Sequence, residues 1–198
     1  MLEMAILGLL TESPMHGYEL RKRLNTLLGT FRKFSYGSLY PTLRRMESAG
    51  AIASDGTTSR IGGRSKVVYQ ITAEGKERLA ELLAEAGPSA WEDETFGVHF
   101  AFFSQTDPQA RLRILEGRRT RLEEKRDRVR GALARTRERF DAYTLELQRH
   151  GLESVEREVR WLNELIETER SGGPPPQRDP PEQSAPGRHP TGATSENP

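Results

Sequence analysis

A change of hydrophobic period between Gly50 and Thr72 constrains this chain more than any other feature. Before it, apolar residues recur every three or four positions; within it lie two short β-rich runs; after it the helical spacing returns. Leu2 to Leu10 reads as a first helix that stops at Thr11-Glu12-Ser13-Pro14, because proline disfavours helical backbone in the residue before it. From His16 to Leu28, Tyr18, Leu20, Leu24, Leu27 and Leu28 line an apolar face, Arg21, Lys22 and Arg23 lie largely on the other side, and Gly29 ends this second helix. Ser35 is placed to cap a third helix through Glu47, closed by Ala49-Gly50. Pro41 inside it implies either a start near Leu39 or an irregular opening turn. Two short strands, Ala51 to Ser54 and Lys66 to Ile71, flank a glycine-rich basic loop as a β-hairpin. Thr72 then caps a helix running through Leu79, Leu82 and Leu83 to Gly87-Pro88. Three helices, a hairpin and a helix are the order of a winged helix-turn-helix domain, assigned to residues 1–86.

Beyond Pro88 the expectation is a helical C-terminal dimerisation domain over residues 87–170, so the fold class is mainly α with one small β-hairpin. Asp107-Pro108 begins a helix expected to reach about His150. Leu112, Leu133, Phe140 and Leu147 share one heptad position in it, and Leu115, Leu122, Val129 and Tyr143 another, while Arg119, Arg126 and Thr136 interrupt the seam. A final helix carries Leu152, Val155, Val159, Leu162 and Ile166 at three-four spacing, and these are the candidate dimerisation residues. Residues 171–198 hold eight of the twelve prolines and almost no large apolar residue, so they are expected to form a disordered tail.

The net charge of +1 hides an uneven distribution. From His16 to Lys66 there are ten Lys or Arg against three acids, whereas Gly87 to Arg170 has sixteen basic and seventeen acidic residues. Only the first third offers a field that attracts a polyanion. One helix fits the DNA major groove with its N-terminal side chains on base edges. The third helix therefore supplies the candidate DNA-binding residues Ser35, Tyr36, Ser38, Leu39, Tyr40, Thr42, Arg44 and Arg45. Arg60, Arg64 and Lys66, around Gly62-Gly63, form a wing able to follow the backbone or enter the minor groove. The plain alternative makes Leu39, Leu43 and Met46 core and the arginines a solvated face; it holds for the apolar residues, but the basic ones collect on the same two elements.

Absence of cysteine excludes disulfides and thiolate chemistry. No phosphate-cradling glycine loop, nucleophile motif or acid–base pair beside a histidine appears, so the chain is not read as an enzyme and no cofactor is expected. His99 follows Glu92-Asp93-Glu94, but no second histidine stands at ligand spacing, and no metal site is assigned. His16 is read as making a local hydrogen bond in its turn. Trp91 and Trp161 are the residues able to line an effector pocket by stacking, although packing is the commoner role of such residues. No segment approaches the roughly 20 apolar residues that span a bilayer, and the expected location is the cytoplasm.

Three runs carry a resemblance: Leu7-Gly8-Leu9-Leu10 with Pro14-Met15-His16-Gly17-Tyr18-Glu19-Leu20; Gly37-Ser38-Leu39-Tyr40-Pro41-Thr42-Leu43-Arg44-Arg45-Met46-Glu47; and Gly63-Arg64-Ser65-Lys66-Val67-Val68-Tyr69-Gln70-Ile71-Thr72-Ala73-Glu74-Gly75. Over residues 1–86 the chain resembles the PadR family of bacterial transcriptional regulators, and Trp91 to Ile166 resembles that family's variable helical region more loosely. The resemblance implies a homodimeric repressor of double-stranded operator DNA, released in some members by a small aromatic or hydrophobic effector. Ser65-Lys66-Val67 departs from the proline or further basic residues common there. The alternative reading is a winged-helix protein-interaction module without sequence-specific DNA binding.

Overall fold

A computed structural model describes residues 1–29, 36–55, 67–136 and 141–173. Helix α1 (Leu2–Leu10) is buried from Met4 to Leu10, with apolar residues all round, and the first core forms about it. Strand β1 (Met15–His16) follows, then α2 (Gly17–Leu28), α3 (Tyr36–Ser48), β2 (Ile52–Asp55), β3 (Val68–Ile71) and α4 (Ala73–Ala84). The expected hairpin is one part of a three-stranded antiparallel sheet in the order β1-β3-β2. Ile52 pairs with Ile71 and Ser54 with Tyr69, while Met15 pairs with Tyr69 from the other side. A strand of two residues has no period to read, which is why β1 is invisible in the sequence.

Gly50, at φ 75°, turns the chain from α3 into β2 in a conformation that suits glycine. Thr72 caps α4 as expected: its Oγ1 accepts from Gly75 N at 3.0 Å and donates to the Gly50 carbonyl at 2.6 Å, tying the end of the sheet to that turn.

A short 3-10 turn (Pro88–Trp91), helix α5 (Phe96–Ala101) and a second 3-10 turn (Phe103–Gln105) lead to two long antiparallel helices, α6 (Pro108–Thr136) and α7 (Ala142–Ser171). Here the structure corrects the expected boundary. The long helix ends well before His150, and α7 runs unbroken through Gly151 to Ser171. Asp141 starts α7 by accepting from the amides of Tyr143 and Thr144 at 2.9 and 3.0 Å, and Gly172, at φ 68°, ends it. Residues 171–173 thus belong to the end of α7, while the expected tail over 174–198 lies outside the described residues, as does Phe140 of the heptad seam. No helix among the described residues is long and apolar enough to cross a membrane.

The described residues form two cores. The first gathers α1 to α4 with Met15, Ile52 and Tyr69; the second packs Ile114, Leu115 and Leu122 of α6 against Val155, Val159, Leu162, Leu165 and Ile166 of α7. Helix α5 and the turn after it join them: Val98 and Phe102 enter the first core, and Phe96, Phe100 and Phe103 the second. Gly8 admits the Phe102 ring, since a Cβ there would stand 2.3 Å from it.

The stripe offered to a partner is also reassigned. Val155, Val159, Leu162 and Ile166 are at most 8% exposed within the single chain, and only Leu152 is half-buried. α6 supplies the apolar surface that the interrupted seam appeared to lack, chiefly through Ile114, Leu115 and Leu122.

Candidate nucleic-acid interface

Helix α3 is divided cleanly by its period. Leu39, Leu43 and Met46 lie in the first core, at 0%, 0% and 2% exposure. Gly37, Pro41, Arg44, Arg45 and Ser48 fall on the opposite face and are exposed, with exposed Ser38 beside them. The helix starts at Tyr36 and passes through Pro41, contrary to a start near Leu39. Pro41 stands on the outer face, so the Gly37 carbonyl that lacks its usual N–H partner is on the solvent side, where its cost is least. Gly37, Pro41 and Ser48 are surface residues that sequence reasoning passed over; the three-four spacing opposite Leu39, Leu43 and Met46 was the signal that marks them.

The other candidates divide by environment. Leu39 is core and does not reach the surface, so its placement corrects its inclusion among the readers. Tyr40 is half-buried at the corner with α2, where a Cβ on Gly17 would stand 3.1 Å from its ring and hydroxyl oxygen. Thr42 donates its hydroxyl to the Ser38 carbonyl at 2.8 Å. Arg45 stands 3.7 Å from Glu3, which also lies 3.3 Å from Arg78 of α4. The charge of Arg44 is felt by the Tyr69 phenol, whose pKa is raised by burial first, then by Glu47 and Tyr40, with Arg44 opposing. Glu47 in turn accepts the Ser54 hydroxyl. Ser35, Arg60, Arg64, Lys66 and the side chain of Tyr36 lie outside the described residues.

On α2, Arg21 lies 6.0 Å from the Tyr18 ring centroid, and Tyr18 is 63% exposed. Arg23 bridges Glu12 at 2.9 Å and Glu19 at 3.3 Å. His16 Nδ1 is 3.3 Å from the Val67 carbonyl, a contact inside the sheet corner.

The two tryptophans occupy different places. Trp161 packs in an aromatic cluster, its ring centroid 5.1 Å from Phe100 and 6.2 Å from Phe96. Trp91 lies on Gly117 of α6, where a Cβ would stand 2.1 Å from the indole, and it lines a groove of about 530 Å³ with Arg113, Thr120, Arg121 and Glu124. Beside it Arg118, 6% exposed, ties the linker to both long helices. It donates to the Trp91 carbonyl at 3.0 Å, to Asp93, and to Glu158 at 2.8 Å, and lies 5.2 Å from the Phe96 ring centroid. Among sixteen basic residues over 87–170, nothing in the sequence marked it as buried.

His99 is 1% exposed, and neither ring nitrogen has a hydrogen-bond partner among the described residues. Burial, and secondarily the N-terminal ammonium, lowers its pKa to about 4. The nearby acids Glu92 and Asp93 face Arg121 and Arg118, and no group of three or more His, Cys, Asp or Glu residues that could hold a metal ion occurs among the described residues.

Residues 6–81 match the Transcriptional regulator PadR-like family. The chain is 36% identical over 81 residues to the Probable transcriptional regulator Rv1176c of Mycobacterium tuberculosis, covering 41% of this chain and 42% of that protein. It is 31% identical over 87 residues to the Negative transcriptional regulator PadR of Bacillus subtilis, covering 44% and 47%. The chain thus spans less than half the length of either relative. Among solved structures, Bacillus subtilis PadR in complex with operator DNA overlaps 85% of this chain and 98% of its own, at 22% identity and a TM-score of 0.42. The same protein in complex with p-coumaric acid overlaps to the same extent at 22% identity, with a TM-score of 0.39.

Proposed function

We propose that the chain, whose residues 6–81 match the PadR-like family of transcriptional regulators, is a member of that family and a sequence-specific DNA-binding regulator acting as a homodimeric repressor. The observation that carries this is the outer face of α3. It presents small residues, a proline and two arginines to solvent, on a helix whose inner face is locked into the core. Small residues permit close approach to a groove, Pro41 offers apolar contact to a thymine methyl, and Arg44 and Arg45 supply guanine or phosphate contacts. The Bacillus subtilis relative is a negative transcriptional regulator, and repression is proposed for this chain by that likeness.

The long helices support the homodimer. No side chain of residues 123–135 and 141–154 is fully buried, and Tyr143 and Leu147 are 90% and 67% exposed. A helical hairpin whose apolar side chains are at best half-buried over much of its length gains from further apolar surface, and a second copy supplies it symmetrically. Val155, Val159, Leu162 and Ile166, with Leu152 at the margin, brace that hairpin from within. In this reading a small aromatic or hydrophobic effector occupies the groove floored by Trp91. It acts by shifting the linker that Arg118 holds, and hence α5, the joint between the two cores.

The test is selection of duplexes from a randomised library by the full chain, followed by footprinting. Protection of a two-fold site with half-sites about one helical turn apart is expected. Failure to enrich any sequence, with binding to an acidic protein instead, would favour the interaction-module reading.

A further inference from the structure

Glu3 stands in the first turn of α1, and its carboxylate reaches two other elements. One oxygen lies 3.3 Å from Nε of Arg78 on α4, and the other 3.7 Å from the guanidinium of Arg45 on α3. The Glu3 side chain is 27% exposed, whereas that of Arg45 is 69% exposed. The carboxylate is thus held by Arg78 on one side and presents its second oxygen to an arginine projecting from the outer face of α3. Its helix cannot easily shift to relax the arrangement, because Met4 to Leu10 are buried and Gly8 is closed over by the Phe102 ring.

We propose that Glu3 is a specificity-determining residue: it biases the direction of Arg45 and reduces the charge that α3 offers to any passing phosphate. This inference rests on the DNA-binding reading above. An arginine on a free stem pairs with whichever phosphate comes nearest, a contact that carries no sequence information. One restrained by a neighbouring carboxylate loses less freedom on meeting a correctly placed acceptor, and gains less from a misplaced one. The carboxylate also repels phosphates, and it repels them on operator and random DNA alike. A solvent-exposed pair of this kind is weak, so DNA is able to displace it, and the matched sequence compensates best for the displacement.

The experiment titrates the full-length chain, E3Q, R45A and the E3Q/R45A double variant against a duplex selected by the wild type and a random duplex of equal length, at several salt concentrations. E3Q should bind the random duplex roughly two- to fivefold more tightly. Its salt dependence should steepen by about one, since one more guanidinium is free to release a counterion. The ratio of selected to random affinity should fall. In the R45A background the same substitution should leave the ratio of selected to random affinity unchanged, since the repulsion that it still relieves acts on both duplexes alike. A ratio and salt slope untouched by E3Q would overturn the proposal, as would a fall in the ratio that persists without Arg45. Equal weakening on both duplexes with a lowered melting temperature would assign Glu3 a structural role only. A wild-type chain with no preference for any duplex overturns both the DNA-binding reading and this one; a preference that E3Q leaves intact overturns this one alone.

Discussion

Arg45 and Tyr40 are neighbours on α3 with different tasks, and substitution separates them. Arg45→Ala removes an exposed guanidinium from the reading face, so it should weaken binding to the selected duplex by about 1–3 kcal/mol if the arginine pairs with a guanine, with little change in melting temperature. Tyr40→Ala removes a half-buried ring packed at Gly17 and should lower the melting temperature as well as DNA affinity. Calorimetry beside binding distinguishes the two; an R45A chain with normal DNA affinity would move the reading surface elsewhere. His99 is legible only in three dimensions, because the acids that precede it belong to arginines and its own ring is enclosed. With a pKa near 4 in the folded chain and about 6.5 when unfolded, it stays neutral and harmless above pH 6.5. As the pH falls from there to 4, the unfolded state takes up the proton first and stability drops, by at most about 3 kcal/mol. His99→Leu should flatten the stability profile over that window; a profile identical to the wild type would show that the ring is not the titrating group.

Two glycines on the long helices should respond to the same substitution with opposite signs. At Gly151, exposed in the middle of α7, a Cβ meets nothing within 4 Å, so Gly151→Ala should stabilise the chain by about 0.5–1 kcal/mol through backbone entropy alone. At Gly117 a Cβ would enter the Trp91 ring, and Gly117→Ala should destabilise by about 1–3 kcal/mol. Thermal melts of both variants decide it, and a gain at Gly117 would mean that Trp91 is not seated on α6. Gly151 also explains a misread boundary, since His150-Gly151 looks like a helix end whereas Asp141, capping α7, is the stronger local signal. Elements α1 to α4 were legible because each is punctuated by Pro14, Gly29, Gly50 or Thr72 beside a clear period. The pairing of α6 with α7 was not, because it depends on distant partners. α6 carries ten basic and four acidic residues, α7 four and seven, and Arg111–Glu169, Arg118–Glu158 and Arg170–Glu116 join them across the hairpin.

For the whole molecule, the reassignment of the α7 stripe changes what a dimer-breaking substitution should do. Leu162→Lys places a charge at a position with 0% exposure inside the chain's own second core, so it should unfold the helical hairpin and not yield a well-folded monomer. Tyr143→Glu with Leu147→Glu alters exposed positions on the distal half and should produce a folded monomer in sedimentation, with operator affinity falling far more than affinity for random DNA. A double variant that stays dimeric would place the interface elsewhere. The central claim, that the outer face of α3 reads sequence, meets its most direct test in equilibrium binding of the full chain to a library-selected duplex and a random duplex of equal length, at one fixed salt concentration. Preference for the selected duplex by about a thousandfold or more is expected, collapsing when Pro41 and Arg45 are replaced together; equal affinity for the two duplexes would contradict it.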